Sequence, residues 1–339
     1  MLNTISVLQE SYTVTSLKVA DLKYGENPQQ KQAALYKDVG DEDPLGLSNF
    51  VEVDSQAPGY VNLTDLDSGI ALAERAIATF EHNLLHLELP EEGDFLFAAA
   101  LKHCHPCGAS IIRTGGSSAI RNRRTHVVKQ MLQGDLLAVL GATIILNFEV
   151  DEEIANELLH FSMKPGKRRI IDCIIAPSIT PEAIAALRRK GAKGRLIINP
   201  ALSTVGLKTI RLDKLIERPV RSGRIIQEPP RLFSLDHPAI EVAHERYPGH
   251  FRSNYPDVLL GVAIAERCAS NTIIRTRGFR LIGGGIGQQD RFAAAHVANW
   301  RTERSAGLSG ENTQESVAVS DSFFTMPDAV EELISKASI

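Results

Sequence analysis

What the 339-residue chain lacks narrows its class before any motif is read. It has no apolar run of membrane length: the longest, Leu136 to Leu146, is broken by Gly141 and Thr143 and is far shorter than the ~20 residues that span a bilayer. Met1 to Glu10 lacks a basic stretch followed by an apolar block and a small-residue cleavage site, so no secretory signal is read and the cytoplasm is the expected compartment. Of the four cysteines only Cys104 and Cys107 lie close together, which reads as reduced thiols and excludes a disulfide framework. A net charge of −4 gives no general attraction to nucleic acid or to an anionic membrane, so neither is an expected partner. Internal repeats and low-complexity tracts are also missing.

What is present reads as a globular enzyme: 43% of residues are hydrophobic and 23% charged, and the length fits two packed units, 1–200 and 201–339. Apolar residues from Asp67 to His82 recur at helical spacing behind an Asp67-Ser68 cap. Phe95 to Lys102 reads as a buried strand delivering Lys102–Gly108 as a loop, and loops at the carboxyl ends of strands are where α/β sheets place ligands. Leu136–Asn147, Ile170–Ala176 and Leu196–Asn199 read as strands, Asp151–Leu159 and Pro181–Lys190 as helices. Strands alternating with helices predict an α/β sheet covered on both faces. Pro200 to Ser234 loses periodicity and reads as the crossing between units. Beyond it, Pro256–Ser270 and Gln289–Arg304 read as helices flanking a hairpin, Thr272–Thr276 with Phe279–Gly283. Two basic clusters, Arg121, Arg123 and Arg124, and Lys164 with Lys167 to Arg169, read as solvated surface that could also hold small anions.

Three motifs carry chemistry. In Lys102-His103-Cys104-His105-Pro106-Cys107-Gly108, a fixed cation sits beside an imidazole that titrates near neutrality, which suits proton handling in acyl transfer. Its histidines and cysteines invite a zinc reading, but the Glu and the Pro-Cys-x-x-Cys pair of zinc deaminases are missing, so no metal site is expected. Leu22-Lys23-Tyr24-Gly25-Glu26-Asn27-Pro28 reads as a tight loop before a helix, able to offer Lys23 and Tyr24 to a phosphate or ring. Gly283-Gly284-Gly285-Ile286-Gly287-Gln288 would let backbone N–H groups approach an anion just before a helix opens; it does not have the dinucleotide spacing.

Together with Asp172-Cys173-Ile174-Ile175-Ala176-Pro177, Ala269-Ser270-Asn271 and Ser320-Asp321-Ser322-Phe323-Phe324, these motifs resemble, in the same order, the formyltransferase domain of the bifunctional purine-biosynthesis enzyme AICAR transformylase/IMP cyclohydrolase. Pro58 to Leu63 and Gly223 to Gln227 extend the similarity, which runs from about Leu22 to Glu332. The resemblance implies two cytidine-deaminase-like three-layer α/β/α subdomains without zinc, in a homodimer with active sites at the interface. It implies transfer of formyl from 10-formyltetrahydrofolate to 5-aminoimidazole-4-carboxamide ribonucleotide (AICAR). Lys102 and His103 match the catalytic pair, and Asn271 the residue orienting the amine. Asp172 matches a folate-side acid, Lys23, Tyr24 and Arg291 nucleotide contacts, and Phe323 a pocket aromatic; Gly25, Asn62, Gly285 and Gln288 fall within the matched binding motifs.

The chain also departs from the family pattern. Lys23 replaces an arginine and loses its bidentate fork, Gln29 replaces a histidine, and Ala138 to Ala142 replaces Ser-Ala-Phe-Gly-Gly. The cyclohydrolase domain and a basic, aromatic C-terminal tail are not in the sequence, so cyclohydrolase activity is expected to be missing. These departures keep two alternatives in view: a paralogue using another aminoimidazole or formyl donor, and a non-catalytic nucleotide- or folate-binding protein.

Overall fold

In the computed structural model, which describes residues 14–115, 120–189, 194–241, 250–309 and 314–335, the chain opens with an exposed antiparallel ribbon, β1 (Ser16–Asp21) and β2 (Ala34–Asp38). The Lys23–Pro28 loop joins these two strands; the helix expected after it is not there. A mixed six-stranded sheet follows, formed by β3 (Val51–Glu52), β4 (Phe95–Lys102), β5 (His105–Arg113), β6 (Thr143–Leu146), β7 (Cys173–Ala176) and β8 (Arg195–Ile198), in the order β3-β8-β7-β6-β4-β5. Only β6, β7 and β8 run parallel. The chain is thus α/β, as its alternating pattern predicts.

The uninterrupted apolar run of β4 has a direct physical cause, since both faces of the sheet are covered. Phe95, Phe97, Ala99 and Leu101 face the first helix, α1 (Tyr60–His82), while Leu96, Ala98 and Ala100 face the layer of α2 (Ile120–Leu132), α3 (Glu152–His160) and α4 (Pro181–Leu187). A fully buried side chain such as Phe97 contributes about 1.5–3 kcal/mol through transfer from water.

Beyond β8 come an exposed hairpin, β9 (Ile216–Val220) and β10 (Gly223–Gln227), and the short α5 (His250–Ser253). Next are α6 (Tyr255–Ala265), β11 (Ile273–Thr276), β12 (Leu281–Gly285), α7 (Arg291–Ser309), β13 (Val317–Ser320) and α8 (Asp328–Ser335). β12, β11 and β13 form a three-stranded antiparallel sheet. Helix α6 shares a core with α1: Leu259, Leu260, Ala263 and Ile264 join Leu66, Ala73 and Ile77. Arg75 ties the same two helices, 2.6 Å from Glu266, and donates to Pro230 O at 2.7 Å. The turn before β12 meets the β5 edge, where the Ile111 N–H donates to Phe279 O at 3.1 Å. Among the described residues no helix is long and apolar enough to cross a membrane.

Several elements differ from their sequence readings. Helix α1 begins at Tyr60, capped where the Gly59 N–H donates to Asn62 Oδ1 at 3.0 Å, and Asp67 lies inside it. Residues 136–142 are not strand; they turn around Asp135, whose Oδ1 accepts the Leu137 and Ala138 N–H groups. Residues 105–108, read as loop, belong to strand β5; Pro106, which has no N–H to donate, is accommodated at a register shift opposite Leu101. Residues 200–234 hold the β9–β10 hairpin as well as irregular chain. Nor is Arg169 solvated: it is buried, donating to Leu158 O and Phe161 O at the end of α3, and burial lowers its guanidinium to about 10. The side chain of Arg121 and residue Lys190 lie outside what is described.

Glu74 on α1 gives a pH prediction. Burial pushes its carboxyl from 4.5 up to about 7, with Asp43 adding to the rise and Thr209, Arg211 and Arg267 opposing it. A raised carboxyl stabilises the fold fully below its unfolded value, and the stabilisation is lost as pH climbs through the folded value. Wild-type protein should therefore lose stability between pH 4.5 and 7 on account of this group. Glu74→Gln should be more stable than wild type at pH 8 by about 2 kcal/mol, a difference that fades by about pH 4 in urea titrations.

Candidate active site

The most informative motif lies at the hairpin between β4 and β5. Lys102 ends β4 and pairs with His105, leaving His103 and Cys104 as a two-residue turn with φ of +52° and +66°. Positive φ at both positions is what a type I′ hairpin demands, and Asn-Gly is its usual solution. Histidine and cysteine in this region cost on the order of 1 kcal/mol each. The turn is tied down from beneath: the Cys104 N–H donates to Asp65 Oδ1 at 2.7 Å, and the Thr143 hydroxyl to Asp65 Oδ2 at 3.1 Å. Burial pushes the Asp65 carboxyl upward, against the Cys104 N–H, the Thr143 hydroxyl and the nearby His103. Lys102 is half-buried and His103 exposed.

This edge is the carboxyl end of β4, as expected, but β4 runs antiparallel to β6, so it is the amino end of the three parallel strands. Thr143 opens β6, Asp172 directly precedes β7, and Arg195 opens β8. Asp172 is held from two sides: Asn62 Nδ2 donates to Oδ2 at 2.8 Å, and Arg195 Nη1 lies 2.9 Å from Oδ1. Asn62 and Asp65, three residues apart on α1, thus serve neighbouring parts of one sheet edge.

The second sheet closes the site. The Asn271 N–H and its Nδ2 both donate to Gln288 O at 3.0 Å, and the Gln288 N–H returns to Asn271 O at 3.1 Å. Gln288 lines a cavity of about 310 Å³ together with Lys102, His103, His105, Cys107, Gly284 and Arg301, a volume at the small end of ligand pockets. Arg301 pairs with Asp135 at 3.0 Å, whereas Lys102 has no carboxylate partner among the described residues. Burial pushes the Cys107 thiol up to about 12 and lowers the His105 imidazole, so near neutral pH the thiol is protonated and His105 is neutral. Among the described residues the cavity therefore offers an unpaired cation, Lys102, two imidazoles and the Gln288 amide to an anionic or oxygen-rich ligand.

The glycine motif has a packing cause at alternate positions. A Cβ at Gly285 would lie 1.9 Å from Ala294 O, and one at Gly283 2.2 Å from Thr302 Oγ1, both on α7. Gly284 between them faces the cavity. Gly285→Ala should force β12 and α7 apart, lowering stability by about 1–3 kcal/mol in a urea melt.

Other sequence candidates lie apart from this cavity, whose lining among the described residues omits Lys23, Tyr24, Gly25, Asn62, Asp172, Gly285, Arg291 and Phe323. Asn271 is reached through Gln288. Lys23 sits 5.9 Å from the Tyr24 ring centroid in the β1–β2 loop, and Gly25 closes that loop by donating to Gln30 O at 2.8 Å. Arg291 pairs with Asp321, which also accepts the Thr272 N–H at 3.0 Å. Phe323 is 77% exposed. Sequence reasoning missed Asp65, Thr143, Asp135, Arg195 and Arg301 and gave His105 no role; the three-residue step from Asn62 to Asp65 was the one available signal. A larger hollow of about 650 Å³ lies elsewhere, but its Asp41, Asp43 and Arg211 already pair with one another or with Lys214.

Comparison with known proteins gives a consistent result. A family model described as AICARFT/IMPCHase bienzyme matches residues 2–301. Proteins called bifunctional purine biosynthesis protein PurH, from Bacillus thuringiensis, Bacillus cereus and Bacillus mycoides, are each 29% identical over 327 residues, covering 95% of this chain and 53% of theirs. The chain spans about half the length of these relatives.

Proposed function

Because the chain belongs to the AICARFT/IMPCHase bienzyme family, we propose that it is a formyltransferase, moving formyl from 10-formyltetrahydrofolate to the 5-amino group of AICAR in purine (IMP) biosynthesis. The observation that carries this reading is the shared cavity of Lys102, His103 and Gln288, with Asn271 bonded behind it. The 5-amine of AICAR is a weak nucleophile because its lone pair is delocalised into the ring and carboxamide. Catalysis must place it within about 3.5 Å of the formyl carbon and remove its proton. The new C–N bond forms to the amine as the bond from the formyl carbon to the folate nitrogen breaks. His103 takes the amine proton by way of the carboxamide while Asn271 fixes the amine. Lys102 stabilises the oxyanion, and the departing folate nitrogen takes a proton from Lys102 or from the protonated His103, so the proton the amine loses is matched by the one the folate gains.

In this reading Lys23, Tyr24, Gly25 and Arg291 contact the nucleotide, Arg291 through N–H groups beyond its Asp321 pair. Asn62 and Asp172 face the folate, Gln288 shapes the ring site while Gly285 lets its strand lie against α7, and Phe323 closes it. Residues 1–200 around the six-stranded sheet and 201–339 around the three-stranded one are two cytidine-deaminase-like subdomains of a cytoplasmic homodimer. A steady-state assay with AICAR and 10-formyltetrahydrofolate, followed by the absorbance of tetrahydrofolate, tests this. Turnover supports it. Turnover only with another aminoimidazole or donor points to a paralogue, and ribonucleotide binding without turnover to a binding protein.

A further inference from the structure

We propose that Asp65 is a positioning residue, holding the His103–Cys104 turn in the one shape that presents His103 to the cavity. The inference rests on the formyl-transfer reading and adds to it a residue that no sequence motif singled out. Asp65 is 4% exposed, yet among the described residues no lysine or arginine pairs with it. An unpaired buried carboxylate is a poor choice for stability alone, since an apolar side chain would avoid its desolvation. Its two oxygens instead go to the Cys104 N–H, at 2.7 Å, and the Thr143 hydroxyl, at 3.1 Å. The first of these is the backbone of a turn whose two residues both have φ in the left-handed region. Such a pair persists only where the surroundings over-determine it. Asp65 clamps the turn to α1, and the Thr143 hydroxyl fixes Asp65 to β6, so the turn that carries His103 is tied to two elements besides its own strands. The electrostatic effect of His103 on the Asp65 carboxyl places the two groups near each other, with Asp172 as a further charge on the same edge.

The test compares Asp65→Ala, Asp65→Asn and Thr143→Val in the full chain. Asparagine can keep both hydrogen bonds, accepting from Cys104 and donating to the Thr143 hydroxyl. Asp65→Ala should lower kcat by about 10²-fold with KM within about threefold, because a misplaced reacting group costs rate more than binding. Asp65→Asn should recover kcat to within about fivefold of wild type. In ligand-free protein, hydrogen exchange at the Cys104 amide should speed up in Asp65→Ala and not in Asp65→Asn. If Asp65→Ala does not fold, Thr143→Val decides: kcat should fall several-fold with the melting temperature nearly unchanged. Unaltered exchange at Cys104, unaltered kcat in a folded Asp65→Ala or in Thr143→Val, or an Asp65→Asn as impaired as Asp65→Ala overturns the proposal. Wild-type protein inactive on AICAR would instead sink the formyl-transfer reading, and the exchange measurement would still report whether Asp65 holds the turn.

Discussion

Lys102→Ala is expected to lower kcat for formyl transfer to AICAR by about 10²–10³-fold, and His103→Asn by at least as much. Both groups reach the cavity, and neither supports the fold. Lys102 is the last residue of β4, half-buried and without a carboxylate partner among the described residues; His103 is exposed. Alanine at position 103 would confuse the result, because φ there is +52° and alanine tolerates that region less well than asparagine. Asparagine accepts the backbone shape and removes the imidazole. The melting temperature of both variants should stay within a few degrees of wild type. A folded variant that keeps most of its rate would take the catalytic pair away.

The largest effect on stability is expected at Arg275, the bulkiest fully buried side chain among the described residues. Its guanidinium donates through Nε to Asn299 Oδ1 at 2.7 Å, Nη1 to Ser316 Oγ at 2.8 Å and Nη2 to Leu333 O at 2.6 Å. One side chain on β11 thereby ties α7, the approach to β13 and α8 together. Burial lowers its ionisation to about 10, so the group is still charged at neutral pH. Arg275→Ala would strip partners from Asn299 and Leu333 and leave a void, costing about 3–5 kcal/mol. Arg275→Lys keeps the charge but not the three-way fork, and should lose nearly as much. Urea denaturation measures both; a loss below about 1 kcal/mol for the alanine variant would show that these bonds contribute little.

How much of this was legible in the sequence follows from what each segment faces. β4 and β7 were readable as apolar runs because helices cover both faces of their sheet. The first two turns of α1 were not, because there its buried residues include Asn62 and Asp65, which face the site and break the apolar stripe. Strand β5 was hidden by Pro106 and Gly108, residues that usually mark turns. Here Pro106 sits at a register shift and a Cβ at Gly108 would lie 2.2 Å from Met131 O on α2. The glycines after Ile282 suggest a ligand cradle from sequence, whereas two of them let α7 lie against β12. Lys102 and His103 were legible through their motif, but the groups that hold their turn, Asp65 and Thr143, come from α1 and β6, far away in the chain. Only the fold brings those together.

In formyl transfer, as proposed, Lys102, His103 and Gln288 surround the reacting imidazole of AICAR. A crystal structure of the protein soaked with the ribonucleotide tests it most directly. The ring should appear in the cavity between β4, the Gly284–Gln288 segment and Arg301, with its amine and carboxamide toward His103. A nucleotide found instead in the hollow beside Asp41 and Arg211, with the Lys102 cavity empty, would contradict the account.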